Sequence, residues 1–115
     1  MPGLSIHVVD VSRGVVAARM RVEIFRCEPR QAIASGRIGA NGTLSDTALG
    51  ELMAPGYYEA VFHVAEYFRD CAVALPGVAF LDVITYRFGI DSPEQHYHLP
   101  MKLTPWGYSC FRGGA

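Results

Sequence analysis

The sequence predicts an all-β fold, a sandwich of seven or eight short strands with one short helix. In several short runs, apolar residues recur at every second position, which is the side-chain period of a strand with one buried face. Gly, Pro, Asn and Asp interrupt these runs about every ten residues, a spacing typical of strands joined by turns. Residues Ala65–Ala72 contain no such breaker and predict the helix.

The alternation places four strands before the predicted helix. Leu4, Ile6 and Val8 form the apolar side of the first strand, which ends in a turn at residues 12–14. Asn41-Gly42 follows the third strand and favours a tight turn there. The second, third and fourth strands are expected within Met20–Ile24, Ile33–Ile38 and Tyr58–Val64.

Three more strands are expected after the helix. Phe80–Phe88 is rich in the β-branched and aromatic residues that strands prefer. His96–Leu103 and Tyr108–Arg112 form the last two strands, with a Pro-Trp-Gly turn between them. Within this region Cys110 alternates toward the core and is predicted to be a packing thiol. Trp106 is predicted to be a packing anchor.

Length and composition indicate one globular domain over residues 1–115. Hydrophobic residues make up 50% and charged residues 18%, so the chain is too apolar to be disordered. A formal net charge of −1 provides no positive field for nucleic acid or an anionic membrane, so neither is expected as a partner. The three widely spaced cysteines suit a reducing compartment, and no run resembles a signal peptide or a membrane span. The expected location is the cytoplasm.

The same alternation predicts which side chains face away from the core. His7 lies opposite the apolar side of the first strand, and His98 shares the outward face of its strand with His96, Pro100 and Lys102. Three interpretations remain open from these residues alone. The imidazoles are surface groups, or they act as a general base and a partner that positions water, or they bind zinc. No Cys or carboxylate completes a zinc set at a recognisable spacing, so no metal site is predicted.

Both ends of the chain carry longer motifs. Residues 4–10 read LSIHVVD, followed by Arg13-Gly14 and Ala17, and this resembles the opening of the transthyretin-like family. Residues 96–114 read HYHLPMKLTPWGYSCFRGG. They are similar to the second signature of that family, which is H-Y-H-V-P-L-L-L-S-P-x-x-Y-S-T-Y-R-G-S in its 5-hydroxyisourate hydrolase branch. The resemblance covers essentially the whole chain.

The resemblance implies a transthyretin-like sandwich that assembles as a homotetramer, with active sites in a channel between two dimers. It implies hydrolysis of a ring C–N bond in a small purine-derived substrate, without a cofactor. By position, His7 and His98 would activate and orient the water. Arg112, in the terminal F-R-G-G, would clamp the site or organise the terminus.

This chain departs from the enzyme branch within the expected site. Thr43 follows the turn glycine, where the family carries an arginine. The terminal Y-R-G-S becomes residues 111–114, FRGG, which removes a phenol and a hydroxyl, and Lys102 replaces a leucine. The expected substrate-binding residues are Thr43, Lys102, Ser109, Phe111 and Gly114.

These departures leave three functional hypotheses. The first is an ordinary 5-hydroxyisourate hydrolase in which Lys102 supplies the missing cation. The second, which the sequence slightly favours, is a hydrolase for an N-methylated hydroxyisourate derived from a methylxanthine. An N-methyl group offers no hydrogen bond, and a guanidinium facing it would be left unpaired. The third is a binding protein without activity, against which both histidines argue.

Overall fold

The computed structural model describes residues 2–51 and 53–114, and within them it has eight strands in two four-stranded sheets. One sheet has the order β2-β1-β7-β8 and the other the order β4-β3-β5-β6. A short 3-10 helix covers Thr47–Gly50, and the helix α1 covers Val64–Asp70. The strands are β1 Gly3–Asp10, β2 Val15–Val16, β3 Arg21–Cys27, β4 Arg30–Arg37, β5 Gly56–Phe62, β6 Ile84–Ile90, β7 His96–Thr104 and β8 Gly107–Cys110. The predicted β-sandwich with one short helix is confirmed.

The hydrophobic core lies between the two sheets, as the alternation predicts. Ile6 and Val8 of β1 pack with Leu99 and Met101 of β7 on one side of the core, and β3 and β5 supply the other side. The residues that alternate with these on β1 and β7 point the other way and are only half-buried or exposed. The sheet β2-β1-β7-β8 therefore has an outer face, turned away from the core, on which Ser5, His7 and His98 lie.

The central pair of that sheet is parallel, unlike all the other strand pairs of the described residues. Gly3 of β1 lies opposite His96 of β7, Ser5 opposite His98, and His7 opposite Pro100. Because β1 and β7 are far apart in sequence, no local turn sets this register. It brings the two terminal motifs side by side on one sheet.

Helix α1 begins one residue earlier than predicted and ends two residues earlier. Ala72 has φ +62°, and Val73 N–H donates to Phe68 O at 2.9 Å while Ala72 N–H donates to Arg69 O at 2.9 Å. This is the hydrogen-bond pattern that closes a helix when a left-handed residue follows its last turn. The sequence around Ala72 contains no glycine to signal this end.

Two sequence expectations near the β7–β8 end of the molecule are wrong. The strand expected at Phe80–Phe88 begins at Ile84, because its partner β5 ends at Phe62, directly opposite Ile84. Phe80 therefore lies outside the ladder and is 70% exposed. Trp106 is 61% exposed beside Phe80 rather than packed in the core. The sequence does not predict the strand β2, because its two residues are too few to show alternation.

Cys110 is half-buried against the core, as predicted, and burial raises the pKa of its thiol to about 11. Such a thiol stays protonated at neutral pH and is a poor nucleophile.

A buried carboxylate anchors the end of β1 to the helix. Asp10 has no solvent exposure, and its Oδ2 accepts a hydrogen bond from Tyr67 Oη at 2.9 Å. Its Oδ1 accepts from Ser12 N–H at 3.1 Å and from the Ser12 hydroxyl at 2.5 Å. Burial, followed by the bond to Asp10, raises the pKa of Tyr67. The hydrogen bonds compensate the cost of burying this polar group and fix the strand that carries His7.

Candidate active site

The two predicted catalytic histidines lie on the outer face of the sheet β2-β1-β7-β8. His7 and His98 occupy diagonal positions on adjacent strands, because His98 lies opposite Ser5 and His7 lies two residues further along β1. Strands about 4.8 Å apart with a rise of about 3.3 Å per residue place such positions about 8 Å apart. A small planar molecule or a water between the two rings fits that separation.

Ser5 links two imidazoles on this face. Its Oγ lies 2.6 Å from His98 Nδ1 and 2.7 Å from His96 Nε2. His96 Nδ1 in turn lies 3.4 Å from the backbone oxygen of Pro2. All three side chains are half-buried. Alternation along β1 puts Ser5 on the same face as His7, but its contact with His98 depends on the β1–β7 register, which no local pattern predicts.

A tight turn encloses His7 from the side of β2. Gly42 has φ +84°, and a β-carbon on it would lie 2.6 Å from His7 Nε2 and 2.8 Å from Val16 Cγ1. Gly42 O accepts a hydrogen bond from Val8 N–H at 2.9 Å, which docks the turn onto β1. Gly42 therefore serves both the left-handed turn and the close approach to the imidazole.

Thr43 lies directly opposite His7 in an isolated antiparallel bridge. Its hydroxyl donates to Asn41 Oδ1 at 2.8 Å, and its backbone N–H donates to the same oxygen at 3.1 Å. The Thr43 hydroxyl is thus engaged within its own turn. The position where the family carries an arginine is next to His7, but it holds a short side chain without a free charged donor.

The C-terminal segment borders the site on the side of β8. Ser109 pairs with Lys102 across β7 and β8, and both side chains are exposed. Gly113 N–H donates to His98 O at 2.7 Å, and a β-carbon on Gly113 would lie 2.7 Å from His98 Cδ2. Phe111 is 49% exposed, and Gly114 has open space around it. The segment therefore crosses the edge of His98 away from Ser5.

Arg112 is placed differently from the other predicted residues. Its guanidinium lies over the Tyr97 ring, 3.9 Å from the centroid, and one of its nitrogens donates to Gln95 Oε1 at 3.0 Å. Tyr97 belongs to the core face of β7. The described contacts of Arg112 are those of a group that holds the C-terminal segment against β7, and none of them is with His7 or His98.

The site provides polar groups of several kinds. Among residues 2–51 and 53–114, no group of three or more His, Cys, Asp or Glu side chains is arranged to hold a metal ion. Within the same residues, no helix has the length and apolar character needed to cross a membrane. His96 and His98 each direct one ring nitrogen at the hydroxyl of Ser5. Two imidazoles, a hydroxyl and an ammonium group suit the delivery of a water proton and the binding of a polar ring.

Curated relatives with similar sequences span nearly the whole chain. The 5-hydroxyisourate hydrolase of Deinococcus radiodurans is 40% identical over 116 residues, covering 97% of this chain and 96% of its own length. The 5-hydroxyisourate hydrolase 2 of Rhizobium meliloti is 38% identical over 113 residues, covering 96% of this chain and 94% of its own length.

Solved structures show the same fold. A crystal structure of (S)-allantoin synthase matches with a TM-score of 0.88 and 35% identity over 97% of this chain. This chain spans only 43% of that longer chain. The structure of 5-hydroxyisourate hydrolase from Klebsiella pneumoniae matches with a TM-score of 0.81 and 25% identity, covering 99% of this chain and all of the other.

Three observations indicate the same family: the two terminal motifs that carry histidines, their placement side by side on one sheet, and the similarity to these relatives. The profile of the HIUase/Transthyretin family matches residues 4–113, which is nearly the full length of the chain. The chain belongs to the HIUase/Transthyretin family.

Proposed function

We propose that this chain is a hydrolase that opens a ring C–N bond of 5-hydroxyisourate. The observation that carries the proposal is the placement of His7 and His98 on one outer face, bordered by the Thr43 turn and the C-terminal segment. The family's curated relatives, named 5-hydroxyisourate hydrolase, support the substrate class. Location in the cytoplasm remains a prediction from the sequence.

The chemistry needs a base for water and a proton for the departing nitrogen. One histidine takes a proton from water, and the resulting hydroxide adds to the ring carbonyl carbon. The tetrahedral intermediate collapses with cleavage of the C–N bond, and the protonated imidazole returns the proton to the ring nitrogen. The other histidine orients the water or the substrate. Ser109 and Lys102 border the same face and provide donors for the developing oxyanion.

The remaining predicted residues have supporting roles in this proposal. Phe111 and Gly114 form the wall of the site on the C-terminal side. Arg112 positions that wall through Tyr97 and Gln95 rather than by contact with the reacting atoms. No cofactor is required for this reaction.

Assembly into a homotetramer is part of the proposal. A small ligand on the outer face of a single chain would be open to solvent, whereas catalysis of this kind benefits from exclusion of water. Three aromatic side chains in or next to β8 are exposed, and these are Trp106, Tyr108 and Phe111. A second copy of the chain packed against β8 would bury them and enclose the site.

An N-methylated ring is the finer proposal for the substrate. Thr43 leaves volume next to His7, its hydroxyl is engaged by Asn41, and Phe111 presents an apolar ring. Each methyl group of the substrate that becomes buried contributes about 0.8 kcal/mol to the free energy of binding. The relatives are named for 5-hydroxyisourate itself, so the unmethylated ring is the first substrate to test and the trimethylated ring is the second.

The test generates each hydroxyisourate enzymatically in the cuvette and follows its ultraviolet decay with and without the protein. Faster decay that scales with protein concentration supports the hydrolase. Decay at the spontaneous rate for both rings contradicts it and leaves the non-catalytic binding protein, which calorimetric titration with a stable ring analogue would then test.

A further inference from the structure

We propose that Ser5 and His96 act as positioning residues that fix the tautomer of His98, so that His98 Nε2 is the basic atom of the site. The proposal rests on the proposed hydrolase function for its kinetic consequence, and on geometry alone for the tautomer. The three side chains form one continuous chain of hydrogen bonds, His98 Nδ1 to Ser5 Oγ to His96 Nε2.

The direction of the chain follows from its far end. His96 Nδ1 faces the backbone oxygen of Pro2, and a carbonyl oxygen can only accept a hydrogen bond. For this 3.4 Å contact to be a hydrogen bond, His96 Nδ1 has to carry the proton. In the neutral imidazole, the other nitrogen then holds a lone pair. His96 Nε2 is consequently an acceptor toward Ser5.

The serine hydroxyl transmits this choice to His98. A hydroxyl has one proton to donate, and Ser5 uses it for His96 Nε2. Toward His98, Ser5 Oγ can then only accept, so His98 Nδ1 carries a proton and donates it. The lone pair of neutral His98 is left on Nε2. A backbone carbonyl of the N-terminal segment thus selects the tautomer of a histidine on β7.

The lone pair lies on the ring nitrogen that is not bonded to Ser5. His98 Cδ2, the ring carbon next to Nε2, lies on the side of Gly113, where a β-carbon would come within 2.7 Å. Among residues 2–51 and 53–114, His98 Nε2 forms no hydrogen bond. The glycine at 113 leaves the approach to this edge of the ring free of a side chain, and a water or substrate group can reach it.

The proton balance of the step is simple in this arrangement. Water gives one proton to His98 Nε2, and its hydroxide adds to the ring carbonyl carbon. The imidazolium keeps its Nδ1 proton in the bond to Ser5, which holds the ring in place while it carries the charge. The proton on Nε2 then leaves with the ring nitrogen. Ser5 and His96 end the cycle as they began.

The tautomer is tested by nitrogen-15 NMR of the imidazoles at about pH 8.5, above the range in which histidines ordinarily titrate. Four histidines are present, and the His98→Ala spectrum assigns the His98 signals. We expect a protonated Nδ1 and an unprotonated Nε2 in His98 of the wild type. Ser5→Ala and His96→Ala should each convert this to a mixture of tautomers. A His98 that is protonated on Nε2 in the wild type overturns the proposal.

The kinetic arm separates a positioning role from a purely structural one. Ser5→Ala should lower kcat by about tenfold to a hundredfold, which is the loss seen when a metal-binding imidazole loses the hydrogen-bond partner that orients it. Ser5→Thr keeps the hydroxyl and should recover most of the loss. Ser35→Ala makes the same substitution at an exposed position of β4 and should leave kcat unchanged. Melting temperatures of all three variants show whether the fold is intact.

The outcomes distinguish the two levels of the proposal. If the wild type does not hydrolyse either ring, the proposed function fails and the NMR arm still decides the tautomer. If the wild type is active and Ser5→Ala retains its kcat, or Ser5→Thr fails to recover a lost kcat, the positioning role of Ser5 is refuted.

Discussion

At the scale of single residues, His7 and His98 are distinguished from the other polar groups by their surroundings. Both are half-buried on the outer face, and each is in contact with a glycine that a larger residue could not replace without collision. His7 contacts Gly42, and His98 contacts Gly113. The backbone thus leaves one side of each ring free of side chains. A residue other than glycine at position 42 or 113 would collide with the imidazole.

Replacement of either histidine should abolish most of the activity. We expect His7→Ala and His98→Ala each to lower kcat by about a hundredfold or more, because each removes a group that transfers or orients a proton. The measurement is ultraviolet decay of 5-hydroxyisourate under saturating conditions. Circular dichroism should show an unchanged β-sheet spectrum, since neither side chain belongs to the core. Near-wild-type kcat in both variants would exclude acid–base roles for these residues.

Thr43 is the residue on which substrate choice depends in our proposal. In Thr43→Arg, the new guanidinium next to His7 should hydrogen-bond an unmethylated ring and collide with N-methyl groups. One charged hydrogen bond contributes about 1.5–3 kcal/mol. We therefore expect the ratio of kcat/KM for the plain over the trimethylated ring to rise about tenfold or more.

The comparison needs both substrates in both proteins. A wild type that prefers the unmethylated ring, or a Thr43→Arg variant with an unchanged ratio, would contradict the N-methyl proposal. The hydrolase assignment is independent of that outcome, because it depends on His7, His98 and the family.

At the scale of elements, the C-terminal segment acts as a brace for β7. Gly113 N–H is bonded to His98 O, and the Arg112 guanidinium lies on Tyr97. His98 and Tyr97 are neighbours on opposite faces of β7. The C-terminal segment therefore contacts both faces of the strand, through Gly113 at His98 and Arg112 at Tyr97. Residues beyond the last strand can in this way influence the orientation of the His98 imidazole.

Substitution at Gly113 tests that brace. In Gly113→Ala, the added carbon would meet His98 Cδ2 at 2.7 Å and Pro100 Cδ at 3.2 Å, so the segment or the imidazole must move. We expect kcat to fall about tenfold or more with little change in melting temperature. Gly77→Ala is the matched control, since nothing lies within 4 Å of its added carbon. Equal activity of the two variants would show that the segment does not position His98.

At the scale of the whole molecule, one surface remains to be explained. The β8 end exposes Trp106, Tyr108 and Phe111, and Lys102 lies exposed next to Ser109 on the same sheet. Burial of the aromatic groups favours self-association, whereas four ammonium groups brought together in a closed channel would oppose it. Our proposal of a homotetramer requires the apolar contribution to prevail.

Sedimentation at micromolar concentration measures the outcome. We expect a mass of four chains for the wild type. Phe111→Arg places a charge at one of the exposed aromatic positions of the β8 end and should shift the protein toward smaller species. Tyr57→Arg alters a similarly exposed aromatic residue on the other sheet and should leave the mass unchanged. A monomeric wild type would contradict the homotetramer and the enclosed site that depends on it.

Several features could be predicted from the sequence because they depend on local periodicity. The apolar face of β1 and β7, the outward placement of His7 and His98, and the turn at Asn41-Gly42 all follow from neighbours within a few residues. The start of β6 could not be predicted, because it depends on where the partner strand β5 ends. The exposure of Trp106 could not be predicted either, because it depends on which parts of the fold pack against the β7–β8 turn. Alternation reports a strand's period and does not report its partner.

The sequence by itself determined the sandwich class, the family motifs and the side of the sheet on which His7 and His98 lie. Only the tertiary structure decided three contacts. Ser5 is within hydrogen-bond distance of His98, Thr43 pairs with His7, and the Arg112 guanidinium lies over the Tyr97 ring. The physical reason is sequence separation. Residues 5 and 98 are joined by a register between parallel strands, which is set by the packing of both sheets and not by any local turn. A side chain's face is a local property, whereas its partner across the sheet is a property of the whole fold.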